Sequence, residues 1–167
     1  MNTLVVCRFG DPVDAERVLP PLRALAQDGE LVIGDAALVS WPRTARKPST
    51  ETLGTLTGPG ELWGGSWGVL LGLIFLVPIA GPAFGAAAGA FAGTLADFGV
   101  DDDFVVRLRE VVTPGTSALF VLSDAAGADR LVAALADREP QIMRWAIARE
   151  QERRLISALG EESRRSG

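Results

Sequence analysis

Glycine recurs at every fourth position in two successive stretches near the middle of this 167-residue chain. The two series are Gly60, Gly64, Gly68 and Gly72, followed by Gly81, Gly85, Gly89 and Gly93. Residues four apart lie on one face of an α-helix, so each series predicts a helix with one stripe free of side chains. Pro78 and Gly81-Pro82 separate the two stretches and predict a turn, which makes the segment a helical hairpin.

A glycine stripe weakens a helix unless something packs closely against it. Each glycine inside a helix costs up to about 1 kcal/mol relative to alanine, so this composition is not expected to hold a helix in water. A second backbone lying along the stripe gains dispersion contacts over its whole length, as in pairs of membrane helices. The predicted helix–helix interface comprises Gly64, Gly68, Gly72, Gly81, Gly85, Gly89 and Gly93, with Trp63 and Trp67 at its entrance.

The segment Leu62–Ala96, called the glycine block below, contains no charged residue. An apolar surface of this size must be covered, either by lipid or by protein. Its first arm, Leu62–Val77, spans about 24 Å at helical rise, which is shorter than the hydrocarbon core of about 30 Å. A re-entrant or interfacial hairpin, or a locally thinned bilayer, fits that length. The alternative is a soluble homo-oligomeric ring or shell in which subunits bury their hairpins against one another.

Charge around the glycine block predicts its orientation and its partners. The predicted turn has no charge, whereas cationic residues flank the block on both sides: Arg43, Arg46, Lys47, Arg107 and Arg109. A membrane protein with this distribution is expected to keep both flanks in the cytoplasm, and a purely cytoplasmic location is the alternative. The expected partners are membrane lipid and further copies of the chain. The net charge of −5 and the pI of about 4.8 argue against nucleic-acid binding.

The composition also argues against an enzyme. Histidine is absent, which removes the commonest general base and the commonest transition-metal ligand. Cys7 is the one cysteine, and its apolar neighbours predict a buried strand residue instead of a reactive thiol. Ser117 and Ser123 have no candidate base nearby in sequence. We therefore expect no catalytic residue, no cofactor and no metal, with a small-molecule-binding regulator as the remaining alternative.

The flanking segments predict an α+β domain. Strands are predicted at Thr3–Phe9, Leu31–Trp41, Thr50–Leu56, Ser117–Ser123 and Gln141–Ala148, with helices following Asp11 and over Asp101–Val112, Ala128–Asp137 and Glu150–Arg165. Asp11 is predicted to cap the first helix, and Pro20-Pro21 to kink or split it. Two βαβ units predict a ferredoxin-like (split βαβ) domain with the hairpin inserted and a helix after the last strand. The predicted parts are residues 1–59, 60–99 and 100–167.

Two charged runs have more than one interpretation. Asp101-Asp102-Asp103 is typical of a helix N-terminus, and Ca²⁺ or Mg²⁺ binding is the alternative. The glutamates and arginines of Glu150–Arg165 indicate a solvated helix with charge pairs, and contact with anionic lipid or a partner subunit is the alternative. Trp41 and Trp145 lie on predicted strands and are expected to be core or interface residues.

Two stretches carry a family resemblance, SWGVLLGLIFLVPIAGPAFGAAAGAFAGTLADFGVDDDFV and TPGTSALFVL. With the first strand–helix–strand and the charged segment after the last strand, they make the chain similar to the bacterial domain-of-unknown-function family 1269. Members of that family are often labelled predicted membrane proteins. The resemblance implies a glycine-rich membrane hairpin but no catalytic residue, and Pro20-Pro21 departs from the family's continuous first helix.

Overall fold

The computed structural model of the chain describes residues 2–54 and 102–147. These residues form an α+β domain with one antiparallel five-stranded sheet. The strands are β1 (Asn2–Phe9), β2 (Asp35–Trp41), β3 (Ser49–Gly54), β4 (Thr116–Ser123) and β5 (Gln141–Ile147). The helices are α1 (Asp14–Arg17), α2 (Leu19–Gln27), α3 (Asp102–Val111) and α4 (Ala125–Ala134), and a 3-10 turn follows at Ala136–Arg138.

The strand order is β3-β2-β4-β1-β5, with every neighbouring pair antiparallel. β4 therefore lies between β1 and β2, and β1 lies between β4 and β5. β4 is the central strand of the sheet, and all eight of its residues are therefore buried. Four of the strands correspond to the two predicted βαβ units, and β3, which overlaps the additional strand predicted at Thr50–Leu56, pairs with the outer side of β2.

Side chains on the two faces of the sheet belong to two separate cores. One core joins alternate strand residues to α1, α2 and α4, with Leu22, Leu119 and Leu131 among its largest fully buried members. The other joins the opposite strand residues to α3 through Phe104 and Leu108. This separation follows from the two-residue period of strands, which sends successive side chains to opposite faces.

The N-terminal helix differs from the prediction in its start. Asp11 does not cap it; its side chain accepts a hydrogen bond of 3.0 Å from the N–H of Val13, and the helix begins at Asp14. The predicted break is confirmed, because α1 ends at Arg17 and α2 begins at Leu19 with the two prolines in its first turn. Proline is tolerated there because the first-turn N–H groups have no partner within the helix.

Two other element boundaries were predicted wrongly. β2 begins at Asp35 and not at Leu31, because Leu31 and Ile33 are buried without belonging to a strand. α4 begins three residues earlier than predicted, where the Asp124 side chain accepts a hydrogen bond of 2.7 Å from the N–H of Gly127. The predicted terminal helix Glu150–Arg165 lies outside the described residues.

Candidate functional site

The chain enters and leaves the region of the glycine block at one end of the sheet, which we call the junction end. β3 reaches it at Gly54, which pairs with Ala36 at the start of β2. The neighbouring Asp35 in turn pairs with Leu122, close to the end of β4. The last described residue before the block, Gly54, therefore lies at the same end of the sheet as the end of the central strand, with β2 between the two.

α3 starts at the same end. The ring of Phe104 lies 5.0 Å from the ring of Trp145, and Trp145 pairs with Leu4, which itself pairs with Leu122. At the other end of α3, the Arg8 side chain donates a hydrogen bond of 3.0 Å to the carbonyl oxygen of Val111. α3 thus runs along the sheet away from the junction end, so Gly54 and the start of α3 lie at the same end of the sheet.

The basic loop lies at the opposite end, which we call the loop end. Arg43, Arg46 and Lys47 are exposed between β2 and β3, and the N–H of Gly115 donates a hydrogen bond of 2.6 Å to the carbonyl oxygen of Trp41 there. A seven-residue strand such as β2 extends over roughly 20 Å. These three cations, which precede β3 and the block in sequence, are therefore a strand length away from the junction end.

An aromatic cluster with a cation stands near the junction end on the α3 face. Trp145 is half-buried against the core that contains Phe104. The exposed guanidinium of Arg107 lies 5.9 Å from the centroid of the Trp145 ring, a cation–π geometry. Trp41 is also half-buried on this core, so the prediction that both tryptophans are core or interface residues agrees with their packing.

The predicted interface residues lie outside the described residues. This applies to Gly64, Gly68, Gly72, Gly81, Gly85, Gly89, Gly93, Trp63 and Trp67. Of the acidic run, Asp102 opens α3 and Asp103 is exposed, while Asp101 is outside the described part. No group of His, Cys, Asp and Glu within residues 2–54 and 102–147 is arranged to hold a metal ion.

The hydroxyls of Ser117 and Ser123 donate hydrogen bonds to backbone carbonyl oxygens. Ser117 donates a hydrogen bond of 2.6 Å to the carbonyl oxygen of Asp11, and Ser123 donates one of 2.7 Å to that of Val32. Both residues are buried. Each hydroxyl therefore fastens a loop to β4.

The thiol of Cys7 is a buried group on the central part of β1. Burial raises its pKa from the ordinary value of 9.0 to about 12, and the positive charge of Arg144 opposes that rise. The thiol therefore stays protonated at neutral pH, and a protonated thiol is a poor nucleophile and a poor metal ligand. The sequence indicated this through the apolar residues around Cys7.

A shallow groove lies between the end of α2 and α4, and no sequence pattern pointed to it. It encloses about 650 Å³ and is lined by Leu25, Gly29, Glu30, Leu31, Arg130, Ala133 and Ala134. Arg130 crosses it to donate a hydrogen bond of 3.2 Å to the carbonyl oxygen of Glu30. Ligand pockets combine apolar walls with a few convergent polar groups, and here the one cationic side chain in the lining already holds a backbone oxygen.

Among the residues described here, no helix combines the length and the hydropathy needed to cross a bilayer. The sequence profile of a family described as "Protein of unknown function (DUF1269)" matches residues 61–160. The matched region contains the glycine block, α3, β4, α4 and β5. No curated protein and no solved structure matches the chain.

Proposed function

The chain belongs to the family DUF1269, proteins of unknown function, and from its fold we propose a non-enzymatic, membrane-associated protein that assembles with copies of itself. In this proposal, the glycine block forms the helical hairpin that packs against neighbouring hairpins. The α+β domain remains in the cytoplasm at the surface of the cell membrane.

The main support for the proposal is the order in which strands from before and after the glycine block pair in one sheet. β1 and β2 precede the glycine block, β4 follows it, and β4 lies between them in the sheet. Both flanks of the block must therefore be on the same side of any bilayer. A segment that leaves and returns on one side fits a hairpin that re-enters or crosses twice, and it excludes a single crossing.

The arrangement of the described strands supports a ferredoxin-like interpretation of the domain. Without β3, the order is β2-β4-β1-β5, and helical connections link β1 to β2 and β4 to β5 on one face of the sheet. This is the pattern of two split βαβ units. We propose that the hairpin is inserted between those units, with β3 as an added edge strand.

The junction end is the surface that the proposal places against the bilayer. It carries Gly54, the start of α3 and the end of β5 at Ile147. Arg107, beside Trp145, is a cation near this end and is suited to lipid phosphates. The basic loop at the opposite end then faces the cytoplasm, as expected for flanks rich in arginine.

The glycine stripes supply the test of self-association. Replacing Gly68→Leu and Gly89→Leu together adds bulk on both stripes and should abolish close helix packing. The matched control is Ser66→Leu with Ala87→Leu, which adds bulk two positions earlier in each arm, away from the stripe. We expect the first double variant to elute in mild detergent as a smaller species than the parent, and the control to elute like the parent.

The membrane part of the proposal is tested by fractionation of the parent chain. Recovery in the membrane fraction, with lipid retained after gentle extraction, supports it. The second candidate is the soluble homo-oligomeric ring or shell, favoured by the shortness of the first arm relative to a bilayer core of about 30 Å. Purification without detergent as a large uniform particle would establish that candidate instead. If the stripe variant and its control both elute like the parent, the glycine stripes do not mediate assembly.

A further inference from the structure

β5 forms one edge of the sheet, and its inner side is paired without interruption. Seven consecutive residue pairs join it to β1, from Asn2 with Ile147 to Arg8 with Gln141. Within residues 2–54 and 102–147, no strand pairs with its outer side. The side chains of Gln141, Arg144 and Ala146 are exposed.

The opposite edge of the sheet, β3, has features that discourage pairing with another chain. Its sequence STETLG is polar and ends in glycine, and its register with β2 shifts between Ala36 and Ala37. Polar, short and bulged edge strands are the usual protection against edge-to-edge association. β5 is less protected: its sequence QIMRWAI has a single charged residue, Arg144, and no proline or glycine, and its register with β1 is regular.

We propose that a second copy of this chain pairs its own β5 antiparallel with this edge, so that two sheets join into one of ten strands. The two-fold axis passes at Arg144, the central residue of β5, which allows all seven residues to pair. This inference rests on the proposed self-assembly in assuming that copies meet, and it assigns to them a surface distinct from the glycine stripes.

The side chains of β5 complement themselves about that axis. On the α3 face, Met143 of each copy comes opposite Trp145 of the other, and both residues are half-buried in the single chain. Contacts between a thioether and an aromatic ring are favourable in such cross-strand positions. On the other face, Ile142 comes opposite Ala146. Both faces therefore gain apolar contacts when the edges meet.

The charges at the axis are arranged in compensating pairs. Arg144 donates a hydrogen bond of 2.5 Å to the Asp129 carboxylate on α4, and both side chains remain substantially exposed. The two-fold axis brings a second pair of the same kind alongside the first. Arg144 of each copy then faces Arg144 of the other, and the ion pair with Asp129 of its own chain partly neutralises each guanidinium, which limits the repulsion between like charges in opposed positions.

The test is a disulfide across the axis in the full chain, extracted in mild detergent and gently oxidised. Directly opposed residues of antiparallel strands have Cα atoms about 4.5–5.5 Å apart, within the disulfide range of about 4.4–6.8 Å. Arg144→Cys should therefore give a covalent dimer that a reductant separates. Glu51→Cys is the matched control, an exposed position within the β3 edge, and should remain monomeric on the same gel.

A second measurement uses charge instead of cross-linking. Ala146→Lys adds a cation to the exposed β5 edge and should reduce the assembly size measured by light scattering. Thr50→Lys makes the same addition at an exposed position of β3 and should leave the size unchanged. The inference is overturned if Arg144→Cys stays monomeric, if Glu51→Cys cross-links equally well, or if Ala146→Lys assembles like the parent.

Failure of this inference is distinguishable from failure of the proposed function. If the parent elutes as an assembly that the glycine-stripe variant disrupts, while Arg144→Cys does not cross-link, only the β5 pairing is wrong. If Arg144→Cys cross-links and the stripe variant elutes like the parent, the β5 pairing stands and the role of the stripes is wrong. A parent that is monomeric in lipid and in detergent contradicts both.

Discussion

The hydroxyl of Ser117, at the start of β4, bridges to Asp11 across 106 residues of sequence. It donates a hydrogen bond of 2.6 Å to the Asp11 carbonyl oxygen and accepts one of 3.0 Å from the N–H of Ala15. The side chain is fully buried. One hydroxyl thereby fixes the turn between β1 and α1 to the central strand.

Removal of that hydroxyl should destabilise the fold. Ser117→Ala leaves the buried Ala15 N–H without this acceptor, and an unsatisfied buried polar group costs about 1–3 kcal/mol. We expect a loss of that size in urea unfolding followed by circular dichroism. Ser49→Ala, at an exposed serine of β3, is the control and should change stability by less than about 0.5 kcal/mol. Equal effects of the two substitutions would contradict the bridge.

Gly127 should give a result opposite to the usual effect of glycine in a helix. An alanine normally stabilises a helix by up to about 1 kcal/mol relative to glycine. At Gly127 an added Cβ would collide with the Ser123 hydroxyl and would lie 2.6 Å from the Val32 carbonyl oxygen. We therefore expect Gly127→Ala to destabilise the protein by about 1–3 kcal/mol, as overpacking does.

Gly10, a glycine in open space, provides the control for this prediction. A Cβ added at Gly10 would meet no atom within 4 Å. Gly10→Ala should therefore leave the thermal midpoint close to that of the parent. A Gly127→Ala variant that melts at or above the parent temperature would show that α4 shifts away from Val32 at little cost.

Cys7 should make stability depend on pH above its ordinary pKa. The folded chain holds the Cys7 proton up to a pKa of about 12, whereas the unfolded chain releases it near 9.0. Rising pH therefore favours the unfolded state between those values and has no effect through Cys7 below them. The free energy of unfolding should fall on the order of 1 kcal/mol between pH 8 and pH 10.

The Cys7→Ala variant isolates this contribution. Lys47 is the only lysine and tyrosine is absent, so few other side chains titrate in the same range. We expect urea unfolding of the variant to show a smaller difference between pH 8 and pH 10 than the parent does. Identical differences would mean that the folded thiol ionises near its ordinary pKa.

The strands could be predicted because their apolar runs are short and bounded by glycine or proline. The run before Gly10 and the run after Gly115 both form strands close to the predicted bounds. The prediction that β2 begins at Leu31 was wrong, because Leu31 and Ile33 are apolar and buried without belonging to a strand. They pack in the α2 and α4 core while the N–H of Gly34 donates to the Leu122 carbonyl oxygen without strand pairing.

The order of the strands and the position of α3 could not be predicted from local pattern. The pairing of Val5 with Val121 depends on which faces of distant segments fit together, and no spacing within either segment encodes it. The four-residue spacing of Phe104 and Leu108 places them on one face of a helix, but it does not indicate the side of the sheet on which they are buried. The common end at which β3 finishes and α3 begins emerged only from those long-range contacts.

The position of β4 between β1 and β2 has a consequence for biosynthesis. Until the ribosome has synthesised Thr116–Ser123, β1 has neither of its strand neighbours, and β2 can pair only with β3. The glycine block is translated before β4, so it emerges while the N-terminal third of the chain still lacks its sheet. Contacts between segments so far apart in sequence form slowly, so any partner that binds the glycine block can do so before β4 completes the sheet.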